Sequence, residues 1–309
     1  SGRTILFITH KLAEVMAVAD RITVLRNGRA VAELDPAATT PEEISRHMTG
    51  RDVEPVRAGP SPSLGDVVLS VDALTVAGVH GLPSVSEVSF DVRSGEIVGI
   101  AAVAGNGQTE LVEAIAGLRE ATAGTVTLRG VDITHLDVAA RRRAGMCYVP
   151  EDRHRVGTAA AASVSENLLM GYQRTDTMKR GAWLRRGAVH THAHRLREDY
   201  AIRVSGIDVA AGTLSGGNLQ KVALAREMTH EAPLIIAEQP TRGVDIGAIE
   251  FIHTRLVAAR DRGAAILLVS AELSEIQSLA TRILVMFEGR IVAELDPDVA
   301  DEAEIGLHM

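Results

Sequence analysis

The run Ala104-Gly105-Asn106-Gly107-Gln108-Thr109-Glu110 lies between an apolar strand pattern, GEIVGIAAV, and a helical pattern, QTELVEAIAGL. A phosphate-cradling turn of the form G-x-x-x-x-G-K-[ST] occupies such a place, its backbone N–H groups converging on an anion at the helix N-terminus. In this register Ala102 stands for the first glycine, Gly107 for the second, Gln108 for the lysine and Thr109 for the hydroxyl. The amides from Ala104 to Thr109 can still surround a phosphate, because that contact needs backbone more than side chain. Gln108 brings no positive charge, and a charge-assisted contact worth on the order of 1.5–3 kcal/mol is lost with it. Taken alone, the segment reads first as a Gly-rich turn. Leu214-Ser215-Gly216-Gly217-Asn218 changes that weighting, because it opens the helical pattern LQKVALAREM. Two glycines and a serine at a helix start leave free N–H groups and a hydroxyl where they can clamp a terminal phosphate. The plain structural alternative is a Ser N-cap on a flexible turn.

The elements that position these residues begin with an internal repeat. Ile5 to Pro36, ILFITHKLAEVMAVADRITVLRNGRAVAELDP, matches Ile266 to Pro297, ILLVSAELSEIQSLATRILVMFEGRIVAELDP, without a gap. The offset, from Arg21 to Arg282, is 261 residues. Solenoid periods run only to roughly 50 residues, so the repeat implies tandem copies of a whole domain. Each copy reads as a buried strand, a helix, a second strand, a Gly turn and a short strand ending at AELDP. Residues 1–50 are expected to be the last quarter of a first domain, too small a piece to bury both its faces. A Pro-rich linker is expected over 51–67, and a second domain over 68–309. Strand and helix patterns alternate through the second domain, interrupted by a helical lobe at about 160–225, which gives an α/β core with an insertion.

Composition narrows the partners. Of 309 residues 46% are apolar and 23% charged, enough for a sizeable core, and the formal charge of −8 supplies no overall positive field for nucleic acid or anionic lipid. Aromatic residues make up only 3%, so platforms for stacking bases are scarce and nucleic acid is not expected as a partner. The single cysteine, Cys147, rules out a disulfide within the chain. No apolar run reaches the roughly 20 residues of a membrane-crossing helix, and the first residues, SGRTILFITHK, lack the zones of a signal peptide. His190, His192 and His194 do not share a helix face at i, i+4 spacing and are expected to be solvated. The same holds for Arg141 to Arg143 and for the basic run from Lys179 to Arg186.

The run LSGGNLQK resembles the signature motif of the ABC ATPase superfamily, and the rest of the chain fits that resemblance. The strand LIIA followed by Glu238-Gln239-Pro240-Thr241-Arg242-Gly243-Val244-Asp245 is similar to the family's strand ending in Asp-Glu-Pro-Thr with its D-loop. The resemblance implies that Glu238 stands at the Mg²⁺-linked aspartate, with Thr109 as the other metal contact, and that Gln239 replaces the glutamate that polarises water. A neutral amide cannot act as that base. Ala271 falls where the family carries a switch histidine, which the first copy retains as His10, and Glu151 falls at the Q-loop glutamine. Four altered positions, Gln108, Glu151, Gln239 and Ala271, imply a second site that is hydrolytically silent or very weak, with ATP and Mg²⁺ bound weakly or not at all. Ser215, Gly216, Gly217 and Asn218 would instead serve the nucleotide of the first domain, as would His10.

The words GNGQTEL, YVPEDRH, LSGGN, EQPTRGVD and LVSAEL are most similar to the tandem-domain ATPase subunits of simple-sugar and nucleoside importers, the nucleoside branch above all. That resemblance implies a P-loop NTPase fold: a mixed core sheet, an inserted helical subdomain and an N-terminal β-rich part. It implies as partners the missing first domain, transmembrane permease subunits and, indirectly, a solute-binding lipoprotein. The location would be the cytoplasmic face of a bacterial plasma membrane. The alternatives are a soluble tandem ABC protein acting in translation or on DNA, whose linkers are usually more charged than this one, and a nucleotide-binding module that does not hydrolyse.

Overall fold

A computed structural model describes residues 3–60, 63–78 and 82–309. The first segment contains α1 (Leu12–Val18), β1 (Ile22–Arg26), β2 (Arg29–Leu34) and α2 (Pro41–Thr49). Its small core joins Ile22 and Val24 to Ile44, with Leu12, Val15 and Met16 packed against them. The strand expected at Ile5 does not form, and Ile5, Leu6 and Ile8 are exposed. The same pattern in the second copy is a buried strand with neighbours on both sides, whereas Ile5–Ile8 has none. Without ladder partners an apolar run has neither hydrogen bonds nor a covered face to hold it extended.

An antiparallel sheet of order β4-β3-β6-β7 is built from β3 (Val67–Ala77), β4 (Pro83–Arg93), β6 (Ala123–Leu128) and β7 (Val131–Asp132). The central sheet has the order β14-β13-β5-β12-β11-β8. Its members are β5 (Ile97–Ala101), β8 (Met146–Val149), β11 (Leu234–Glu238), β12 (Ala265–Ser270), β13 (Arg282–Phe287) and β14 (Arg290–Leu295). All pairings are parallel except that of β14 with β13. Every residue of β5, β11 and β12 is buried, as a parallel strand covered on both faces requires. Alternation along the strands divides the interior in two. Val98, Ile100, Ile236 and Leu267 face α3 (Gln108–Ala116) and the antiparallel sheet, whereas Ile97, Ile235, Ile266 and Leu268 face the helical side.

The helical side carries α5 (Val164–Leu169), α6 (Arg186–Asp199) and α7 (Gly216–Met228), followed by α8 (Ile246–Asp261), α9 (Leu273–Leu279) and α10 (Glu302–Leu307). A capping box between Ser163 and Glu166 starts α5. The lobe is not wholly helical, because β9 (Lys179–Arg180) and β10 (Trp183–Leu184) form a short hairpin ahead of α6. Between Arg51 and Asp66 the described chain forms no helix or strand, but it is fastened down: the Ala58 amide donates to the Ser278 carbonyl (2.7 Å) and Arg260 to that of Gly59 (2.7 Å). Among the described residues no helix is long and apolar enough to cross a membrane.

Two expected surface groups are interior. His192 is buried beside the Tyr172 ring while its neighbours on α6, His190 and His194, are exposed. Arg141, in α4 (Val138–Ala144), is 3% exposed. Its guanidinium donates to the carbonyls of Ala114 and Ile115 in the last turn of α3, to Thr134 and to Leu136, at 2.6–2.9 Å. The last carbonyls of a helix lack partners within it, so Arg141 closes the C-terminus of the helix whose N-terminus begins at Gln108. Replacing Arg141 by Met removes all four of these hydrogen bonds. The expected loss is roughly 3 kcal/mol of stability, read as a lower urea midpoint at unchanged slope.

Candidate nucleotide site

The tips of β5, β11 and β12 come to one edge because their parallel register sets Glu238 beside Val269 and Ser270 beside Ala101. The loops that follow therefore converge: Ala102–Gly107 after β5, Gln239 onward after β11, Ala271 after β12. In open α/β sheets this carboxyl edge is where ligands bind.

The turn itself is tightly specified. Gly107 has φ 97°, and a Cβ there would lie 2.1 Å from the Ser84 carbonyl oxygen, so neither conformation nor space admits a side chain. Asn106 ties the turn to the β13–β14 hairpin, its carbonyl accepting from the Gly289 amide (3.0 Å) and its Oδ1 from the Glu288 amide (3.2 Å). Gln108 folds back into the turn rather than outward: it is buried, and its Nε2 donates to the Val103 carbonyl at 3.3 Å. Its Oε1 has no hydrogen-bond partner among the described residues.

Glu238 is the most constrained group of the site. It is 2% exposed, and its Oε2 accepts from the Tyr148 hydroxyl (2.6 Å) and the Glu151 amide (3.3 Å). Burial pushes its pKa above the ordinary carboxylate range, and the charges of Glu113 and Glu110 push the same way, while the Tyr148 and Thr109 hydroxyls oppose them. Tyr148 in turn is held far above the ordinary phenol range by burial and by the Glu238 charge, so it remains the donor. The other oxygen of Glu238, Oε1, is buried without a partner among the described residues. An orphaned carboxylate oxygen with the Thr109 hydroxyl nearby fits the donor set of Mg²⁺, which takes one or two carboxylates and completes its shell with phosphate and water.

The other altered positions are also engaged. Gln239, at φ 46°, accepts through Oε1 from the Ala271 amide (3.2 Å), so the two positions at which the resemblance expects a water-polarising carboxylate and a switch histidine are bonded to each other. Glu151 forms an ion pair with Arg242. Arg153, next in the same loop, donates to the carbonyls of Arg242 (2.6 Å) and Gly243 (3.3 Å). A Cβ on Gly216 would meet the Arg153 guanidinium at 2.7 Å, so this arginine also fills the space beneath the start of α7.

Ser215 is the exposed N-cap of α7, and its hydroxyl accepts from Asn218 Nδ2 at 3.0 Å. Among the described residues no hydrogen bond joins Ser215–Asn218 to the turn at 104–109. The structure thus gathers Thr109, Glu151, Glu238, Gln239 and Ala271, and among the described residues joins none of them to Ser215–Asn218 by a hydrogen bond. His10 lies half-buried one residue from Lys11, which reaches Glu272. Tyr148 and Arg153 were missed as site residues, although both stand in the quoted word YVPEDRH. The signal for Tyr148 was a polar-ended aromatic closing a short apolar strand, and β8 pairs it with Ile236, two residues before Glu238.

The raised pKa of Glu238 fixes a sign. A group whose pKa is higher in the folded state contributes stability below its unfolded pKa and loses it as pH rises through the folded value. Glu238→Gln is therefore expected to raise the melting temperature at neutral pH, with the gain shrinking as pH falls through the raised folded-state pKa toward the ordinary carboxylate range. Added Mg²⁺ is expected to raise the melting temperature of the native protein and not of the variant.

Comparison with known proteins agrees with this fold. The family model for the ABC transporter matches residues 85–242. A nucleoside import ATP-binding protein of Lactococcus lactis is 41% identical over 308 residues, covering 100% of this chain and 61% of the relative. A glucose import ATP-binding protein of Haloferax volcanii is 43% identical over 314 residues, covering 100% of this chain and 56% of the relative. The chain thus spans about six-tenths of the length of these curated relatives. In fold it is similar to a dimeric bacterial ABC transporter cassette, with a TM-score of 0.65, 21% identity, and coverage of 74% of this chain and 98% of the cassette. The chain belongs to the ABC transporter ATP-binding family.

Proposed function

We propose that the chain is the C-terminal part of the ATP-binding subunit of an importer, in which residues 68–309 lend their signature motif to nucleotide held by another domain. At its own site this domain hydrolyses ATP little or not at all. The observation that carries the reading is the bond between Gln239 and Ala271. The two positions where the family places a base and a histidine hold an amide and a methyl group, and neither can accept a proton from water at neutral pH. Gln108 supports it further, since an amide folded onto Val103 supplies no charge to offset developing negative charge on a phosphate.

The chain's remaining groups have definite tasks in this reading. The amides of Ala104–Thr109 form an anion cradle at the head of α3. Thr109 and Glu238 are the groups that would hold Mg²⁺ there, and a bound Mg²⁺ would neutralise phosphate charge amid the carboxylates of Glu110, Glu113 and Glu238. Ser215, Gly216 and Gly217 offer a hydroxyl and helix-terminal amides outward, toward a partner site, and His10 belongs to that same partner site. Residues 1–50 are the end of the partner domain and 51–67 join it to the second.

The transported solute in this reading is a nucleoside or simple sugar, the classes named for the relatives in Lactococcus and Haloferax. Permease subunits in a membrane would be the direct partners, a solute-binding lipoprotein the indirect one, and the cytoplasmic face of the membrane the location. The test is ATP turnover by the purified chain, alone and with a first domain carrying its own phosphate-binding lysine. The pair is expected to turn over while the chain alone does not, and Ser215→Arg is expected to reduce the paired rate about 100-fold. Steady hydrolysis by the chain alone contradicts the proposal.

A further inference from the structure

The repeat recurs in three dimensions at the same offset. The helix α1, residues 12–18, corresponds to α9, residues 273–279, at identical bounds. The pair β1–β2 sets Ile22 against Leu34, with a register shift at Val24/Leu25. The pair β13–β14 sets Ile283 against Leu295, with its shift at Val285/Met286. Even the turns agree, Asn27-Gly28 and Glu288-Gly289 both having positive φ. Residues 12–34 have therefore folded as their counterparts in the second copy do, and the two copies are in contact.

Besides the packing of α2 against α8, the copies meet at Lys11 and Glu272, the ammonium donating to Oε1 at 2.7 Å across a sequence separation of 261. That separation is the repeat offset, so the two residues are equivalents. They precede α1 and α9 with nearly equal backbone angles, −82°/101° and −87°/102°, and neither side chain caps its own helix.

We infer that Lys11 and Glu272, equivalent positions that oppose each other where the two copies meet, select pairing of unlike copies through their opposite charges. Pairing of like copies would oppose Lys11 to Lys11 or Glu272 to Glu272, a repulsion that discriminates by penalising the wrong partner. The same bond locates His10. The Ala271 amide donates to Gln239, Glu272 follows Ala271 in the chain, and Lys11 follows His10, so a line of bonded groups runs from the altered site of one copy to the histidine of the other. This assignment of a pairing contact goes beyond the trans-site reading and stands or falls without it.

The test uses the whole chain. In Lys11→Cys/Glu272→Cys a short bis-maleimide is expected to cross-link the two positions within one chain, at a concentration where neither single variant forms dimers. Cys147 does not compete, because it is buried and burial pushes its thiol pKa up. Glu272→Lys is expected to speed amide exchange in α1 roughly two- to five-fold, and Lys11→Glu combined with Glu272→Lys to restore the native rate. Cross-links formed only between chains would overturn the contact between the copies. Exchange that is unchanged in Glu272→Lys, or that stays fast in the charge-swapped protein, would overturn the charge selection. Neither readout involves nucleotide, so the trans-site reading is judged separately.

Discussion

The parallel pairing of β5 with β12 and of β12 with β11 is the constraint on which the rest depends. Because Ala101 lies level with Ser270, and Val269 with Glu238, the three loops leaving these strands open onto a common edge. No single loop residue could hold Glu238 against the turn at 104–109. The register does so, and complete burial of the three strands makes a slip costly, since it would exchange the side chains of two separate cores. Arg141 extends this control to the far end of α3, so both termini of the helix that receives the turn are fixed by groups from elsewhere in the chain.

Within that frame, the groups that the resemblance sets at catalytic positions are engaged in holding the edge together. Gln108 braces its own turn, Gln239 holds the loop after β12, Glu151 pairs with Arg242, and Glu238 is gripped by Tyr148. The result is a phosphate-shaped turn with carboxylates beside it and no lysine within it. Electrostatics decides the outcome more than shape: the backbone still presents amides, but Glu110, Glu113 and Glu238 oppose an anion unless a divalent cation stands between them. Arg153, reaching both the loop after β11 and the start of α7, makes the site and the signature helix parts of one assembly.

The tight turn before α3 and the helix opening at Ser215–Gly216 were legible, because each is a local pattern at a junction into a helix. The repeat with its linker, and the alternation of strand and helix, were legible for the same reason. Other features depended on neighbours that local pattern does not encode. Ile5–Ile8 has the composition of β12 but lacks the strands that would pair with it. Arg141 to Arg143 looked like a solvated cluster, yet the first of the three is drawn inward by four carbonyls, two of them from a helix more than 20 residues earlier. The bond between Tyr148 and Glu238 joins residues 90 apart, and only sheet order reveals it.

In the proposed reading the missing lysine charge, and not a misshapen turn, weakens nucleotide binding at this site. Calorimetric titration of Mg²⁺-ATP into the native chain and into Gln108→Lys tests that claim most directly. The account predicts that Gln108→Lys binds about 10- to 100-fold more tightly, the worth of one charge-assisted contact. Equal affinity of the two proteins would contradict it and return the cause to the carboxylates or to the turn itself.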